Sequence, residues 1–107
     1  MDILLDYKYV RAMFLIYDTE TTGLPKNWNA PLTDSENWPR IVQLAWQLHD
    51  ENGKLLSRGN RIVKPDGFTI PFQSMKVHGI TTEIAQAEGM PLAEVIEEFN
   101  KDLVRAT

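Results

Sequence analysis

Apolar and polar positions change rhythm several times along the chain, and each change marks an element. Met13-Phe14-Leu15-Ile16-Tyr17 is apolar at every position, the pattern of a strand covered on both faces, so a central strand is expected there. Thr22-Gly23-Leu24-Pro25 ends it, and the stretch to Pro39 is rich in Asn, Pro, Asp and Ser, as long surface loops are. Loops of that length are usually functional or mobile. Alternation returns from Ile41 to Leu48, with Val42, Leu44, Trp46 and Leu48 on one face and Gln43 and Gln47 on the other. That spacing predicts a half-buried second strand. Asn52-Gly53 suits a tight hairpin turn, and a third strand from about Leu55 to Val63 should return antiparallel. Pro65, Gly67 and Pro71 mark the loop that leaves it.

The second half of the chain switches to helical spacing. Thr81 is placed to cap a short helix over Thr82 to Glu88, with Glu83 at its positive end and Gly89 as its stop. Pro91 can open a second helix, in which Leu92, Val95, Ile96, Phe99 and Leu103 form one apolar stripe. Glu94, Glu97, Glu98 and Lys101 lie opposite. Residues 1 to 12 mix apolar and charged positions without a clean period and are expected to be a leader or an edge segment. Residues 13 to 107 therefore predict an α/β chain in which an antiparallel three-strand meander is followed by two helices.

Composition narrows the possibilities. A chain of 107 residues, 43% hydrophobic and 24% charged, is one folded domain with a modest core. Eleven basic against fifteen acidic residues give a net charge of -4, which is not the footprint of a bulk nucleic-acid binder. A phosphate-bearing substrate would need a metal ion or a partner domain to offset that charge. The absence of cysteine excludes disulfide scaffolds, thiolate zinc sites and thiol nucleophiles. No apolar run approaches the ~20 residues of a membrane span, and Asp2 and Asp6 stand where a signal peptide would be positive. A cytoplasmic protein without membrane contact is expected.

The candidate chemistry sits at the end of the first strand. Asp18 and Glu20 are two residues apart, so strand geometry puts both carboxylates on one face, where they can share a metal ion. Mg²⁺ and Mn²⁺ prefer such oxygen ligands and keep several of their own waters. Two solvated acids at a strand end are the plain alternative.

The neighbouring residues extend this pair into a longer pattern. Tyr17-Asp18-Thr19-Glu20-Thr21-Thr22-Gly23-Leu24 resembles the first motif of the DEDD superfamily of 3′→5′ exonucleases, to which the proofreading epsilon subunit of bacterial DNA polymerase III belongs. The resemblance continues through Ile41-Val42-Gln43-Leu44-Ala45, the Asn-Gly hairpin and Val77-His78-Gly79-Ile80-Thr81, and into the helix that contains Glu98-Phe99. It implies the N-terminal portion of an RNase H-like exonuclease fold. Four acidic residues of that family hold two divalent ions, which activate water, orient the phosphodiester and stabilise the leaving 3′-oxygen. By this resemblance Asp18 and Glu20 are the catalytic metal ligands. Thr21, Thr22 and Gly23 lie against the terminal nucleotide, Leu24 packs on its base, and Val77 and His78 line the same pocket. A core position for Leu24 and a loop role for His78 are the structural alternatives.

The family's second and third motifs, which supply two further Asp residues and a His or Tyr, have no counterpart here. Asp102 lies within a helix and is not assigned to them. The chain is expected to be part of a larger domain, truncated before those motifs, inactive alone and prone to self-association. The implied partner is the 3′ end of single-stranded DNA or RNA, with stand-alone action and association with a DNA polymerase both open. A haloacid-dehalogenase-like phosphatase is the rival enzyme, although that class uses parallel βαβ units. A non-catalytic interaction fragment presenting Trp28 and Trp38 is the rival without chemistry.

Overall fold

The computed structural model describes residues 12–107, so the expected leader falls, apart from Ala12, outside the described residues. Within them, β1 (Phe14–Thr21), β2 (Ile41–His49) and β3 (Leu55–Ile62) precede α1 (Phe72–His78), α2 (Thr82–Glu88) and α3 (Leu92–Ala106). The strands form one antiparallel sheet in the order β1-β2-β3. Gly53, at φ +81°, makes the β2–β3 turn, donating its N–H to Asp50 O at 3.0 Å. The meander and α2 follow the sequence pattern closely. Thr81 caps α2 as expected, its side chain accepting from Ile84 N.

Four features depart from the pattern. β1 occupies an edge of the sheet among the described residues, where a central strand was expected, and Phe14, Ile16 and Tyr17 are exposed. Its apolar side chains describe what can cover its faces, while its position depends on how many strands pair with it, and among the described residues only β2 does. Secondly, there are three helices, not two, because α1 forms where a loop was expected. Gly79, left-handed at φ 77°, ends α1, and Lys76 and His78 occupy its last turn, favourable to the helix dipole. None of its residues is buried, so the apolar periodicity that betrays longer helices is absent.

Thirdly, β2 does not keep one apolar face. Glu20 pairs with Gln43 but Thr21 pairs with Ile41, so Val42 is an extra residue in β2. Such a bulge reverses the alternation beyond it. Leu44 and Trp46 pack with Val63 and Val95 beneath α3. Val42 packs in a separate cluster with Ile70, Ile80 and Ala85, joined by Ile62 and Met75. The α1–α2 segment and α3 therefore build separate cores on opposite faces.

Fourthly, α3 is rotated from its predicted stripe. Val95 is fully buried and Phe99 half-buried, while Leu92, Ile96 and Leu103 remain exposed. Asp102, only 6% exposed, turns inward instead. Its Oδ2 accepts from Trp46 Nε1 at 2.8 Å and from Ser57 Oγ at 2.7 Å. Phe99 meets the rings of Trp46 and Tyr17 edge-on at 5.5 and 5.6 Å. Arg61 of β3 pairs with Glu98 at 2.9 Å, its hydrogen bond holding that carboxyl below its ordinary range. Together these contacts fix the rotation of α3 about its axis.

Burial would push the Asp102 carboxyl up, but hydrogen bonds from Ser57 and Trp46 and the Arg105 charge outweigh it and leave it lowered. With its folded-state value below the unfolded one, this carboxylate contributes stability that is full above about pH 5 and lost as pH falls through about 4 and below. Urea unfolding should show a smaller acid-induced loss in Asp102→Asn than in the unaltered chain. Asp102→Ala, which leaves the Trp46 N–H unpaired, should lower stability at neutral pH by about 1–3 kcal/mol. Gly59 lies opposite Trp46 in the β2–β3 register, and a Cβ there would run into the indole ring. Gly59→Ala should therefore destabilise by about 1–3 kcal/mol, visible as a lower urea midpoint with unchanged slope.

Candidate metal and nucleotide site

Strand alternation places Asp18 and Glu20 on one face of β1, opposite Ala45 and Gln43 respectively. Ala45 carries only a methyl group beside Asp18, and Gln43 is turned to Asn60, donating to its Oδ1 at 2.8 Å. Among the described residues neither carboxylate has a hydrogen-bond or ion-pair partner. The contrast with Glu98 and Asp102, both held by cations or donors, is informative. Two like charges about 7 Å apart along a strand, with nothing to neutralise them, suit a hard divalent cation.

The strand ends in a shaped loop. Thr21 Oγ1 donates to Gly23 O at 2.8 Å, and Gly23 N donates back to it at 3.3 Å. Gly23 has φ +146° with no atom near its missing Cβ, so glycine is required there by backbone angle, not by crowding. Thr22 fastens this loop to its surroundings. Its N–H donates to Arg40 O at 3.0 Å, its Oγ1 accepts from Arg40 N at 2.9 Å, and its carbonyl accepts from Ser74 Oγ at 2.6 Å. The last bond draws α1 against the loop.

A cleft of about 400 Å³ results, with Glu20 through Leu24 on one side and Pro71, Gln73, Ser74, Val77 and His78 on the other. Of the expected site residues, Glu20, Thr21, Thr22, Gly23, Leu24, Val77 and His78 meet there, and Asp18 stands one alternation further along the strand. Leu24 and Val77 are about 80% exposed, at 79% and 83%, so Leu24 is not a core leucine. The hydroxyls of Thr21 and Thr22 serve the loop itself. Gln73 and Ser74 belong to α1 and Pro71 is its N-cap, and all three were missed with it; Pro71 before and Gly79 after are the signals that mark that helix.

His78 has an asymmetric environment. Its Nδ1 accepts from Ile80 N at 3.1 Å, so the neutral ring carries its proton on Nε2. That Nε2 is buried and has no partner among the described residues. An unpaired buried donor lining a cleft suits a ligand that brings an acceptor oxygen. Among the described residues no Lys or Arg lines the cleft, so these residues offer an anionic ligand a donor and apolar walls but no cation. Another cavity of about 460 Å³, bordered by Arg40, Lys64, Phe68 and Leu92, contains none of the expected site residues.

The fold is that of the N-terminal part of exonuclease I. A structure of E. coli exonuclease I in complex with an oligonucleotide matches with a TM-score of 0.65 at 21% identity, over 86% of this chain and 18% of that one. Exonuclease I from Methylocaldum szegediense gives a TM-score of 0.66 at 20% identity, over 84% and 18%. The chain thus spans less than a fifth of either protein. No family model and no curated protein matches the sequence. The likeness establishes the architecture alone, that of the N-terminal part of exonuclease I.

The donor set fits one divalent ion held by Asp18 and Glu20 with waters completing its shell. Among the described residues no third His, Cys, Asp or Glu joins them, so a second ion would need ligands from elsewhere. Thymidine monophosphate is a suitable probe of the cleft. His78→Ala should weaken its binding by about tenfold or more, the loss expected for a hydrogen bond to a charged group. Titration followed by NMR checks this, and an unchanged dissociation constant would assign the ring to packing alone.

Proposed function

We propose that this chain carries the first-motif part of a metal-dependent 3′→5′ exonuclease site acting on single-stranded nucleic acid. The observation that carries the reading is the pair of carboxylates, Asp18 and Glu20, which have no partner among the described residues and stand beside a cleft that those residues line without a basic side chain. A phosphodiester brought there meets net negative charge unless a cation intervenes. Mg²⁺ or Mn²⁺ on these carboxylates would supply that charge, together with activated water and stabilisation of the leaving oxygen. The chain's own contribution is positioning. Leu24 and Val77 offer apolar walls to the terminal nucleotide, His78 Nε2 offers a proton to an acceptor oxygen, and the Thr21–Gly23 turn sets the height of the cleft floor.

The oligonucleotide complexes of E. coli exonuclease I support a single-stranded substrate class, with DNA the first choice of probe. The phosphatase alternative needs parallel βαβ units, whereas β1, β2 and β3 are antiparallel. Two carboxylates cannot hold two ions in the geometry of in-line displacement, so the 107-residue chain by itself is expected to bind metal weakly and to lack turnover.

The test is Mn²⁺ binding, followed by calorimetry and by Mn²⁺ paramagnetic relaxation, in the unaltered chain, Asp18→Ala and Glu20→Ala. Each substitution should abolish the binding seen in the unaltered chain and leave the thermal midpoint unchanged or raised, because a like-charge contact is relieved. Unaltered Mn²⁺ affinity in both variants would overturn the assignment. Processive 3′→5′ digestion of labelled single-stranded DNA by the unaltered chain, lost in Glu20→Ala, would show that two carboxylates suffice.

A further inference from the structure

The segment between β1 and β2 is long, yet it is tied to itself at several points. Asn37, 7% exposed, clasps Asn27 from both sides, its Oδ1 accepting from Asn27 N at 2.7 Å and its Nδ2 donating to Asn27 O at 2.9 Å. Asn27 in turn organises the next residues, its Oδ1 accepting from Asn29 N at 2.9 Å and its carbonyl from Ala30 N at 3.2 Å. Trp38 Nε1 donates to Pro31 O at 2.8 Å. The bonds from Thr22 N to Arg40 O at 3.0 Å and from Lys26 N to Asn37 O at 3.3 Å close the base of the loop. This is a self-packed Ω-loop.

The loop treats its two tryptophans differently. Trp38 is half-buried and its indole N–H is used within the loop. Trp28 is 71% exposed, and its N–H has no partner among the described residues. Its backbone is nonetheless pinned, since Asn27 on one side and Asn29 and Ala30 on the other are all hydrogen-bonded. A large aromatic ring held outward on a fixed turn contributes little to the core and loses little conformational freedom on binding.

We propose that Trp28 is a stacking platform for a base of the single strand a few nucleotides from its 3′ end. The proposal rests on the exonuclease reading and extends it. Trp28 follows Leu24, a wall of the cleft, by four residues, so at most about 14 Å of chain separates them. A net charge of -4 and a cleft that no Lys or Arg lines among the described residues weaken the phosphate attraction that supplies most nucleic-acid affinity. Stacking on an aromatic face is independent of that attraction and tolerant of sequence. It also requires an open base face, which single strands offer and duplexes do not.

The experiment compares binding of a fluorescein-labelled thymidine pentanucleotide and of thymidine monophosphate to the unaltered chain, Trp28→Ala and Trp28→Phe in Mn²⁺. Trp28→Ala should weaken the pentanucleotide about tenfold and Trp28→Phe much less, with monophosphate binding and thermal midpoints the same in all three. Pentanucleotide affinity unchanged in Trp28→Ala overturns the platform and leaves the exonuclease reading standing. An equal loss for the monophosphate also overturns it, since the effect would then lie in the cleft. An unaltered chain that binds neither ligand overturns both.

Discussion

The extra residue in β2 is the constraint on which the arrangement of this protein depends. With strict alternation Val42, Leu44 and Trp46 would share one face, and the chain would have a single core beneath α3. The bulge opposite Glu20 and Thr21 sends Val42 to the other face, where Ile70, Ile80 and Ala85 close over it. That second core anchors the α1–α2 segment on the face that carries Asp18 and Glu20. Without it α1 would have no seat beside the motif loop and the cleft would have one wall.

The opposite face shows how a buried polar group can define packing. Trp46 lies over Gly59, meets Phe99 with its edge and donates to Asp102. The first contact specifies β3 and the other two specify α3, so β2, β3 and α3 have one mutual arrangement. An apolar residue at position 102 would leave the indole N–H unpaired and would let α3 turn its leucine stripe inward. Buried polar groups that are fully partnered specify orientation more sharply than apolar contacts, which are satisfied by many rotations.

Charge divides the protein in the same way. Glu98 and Asp102 are matched to donors and cations and serve the fold, whereas among the described residues Asp18 and Glu20 have no partner, beside a cleft that also holds an unpaired His78 Nε2. Among the described residues His78 Nε2 is the one buried side-chain polar atom without a partner, and it borders the same cleft as Glu20, where a ligand could satisfy it.

Local physics was readable directly from the sequence. Alternation marked β2, the Asn52-Gly53 turn signalled β3, the Thr81 and Gly89 signals bounded α2, and two-residue spacing put Asp18 and Glu20 on one face, because each depends only on near neighbours in the chain. The Tyr17–Leu24 pattern and Val77-His78 named most of the residues that line the cleft. Other features needed the tertiary structure. The bulge at Val42 is a matter of register between strands, and α1 forms without a buried stripe because Ser74 binds the Thr22 carbonyl across 52 positions. The inward turn of Asp102 requires Trp46 and Ser57, and the outward display of Trp28 requires Asn37. Periodicity records which side chains prefer to leave water; it does not record which distant partner will meet them, and for polar groups that partner decides whether burial stabilises or costs.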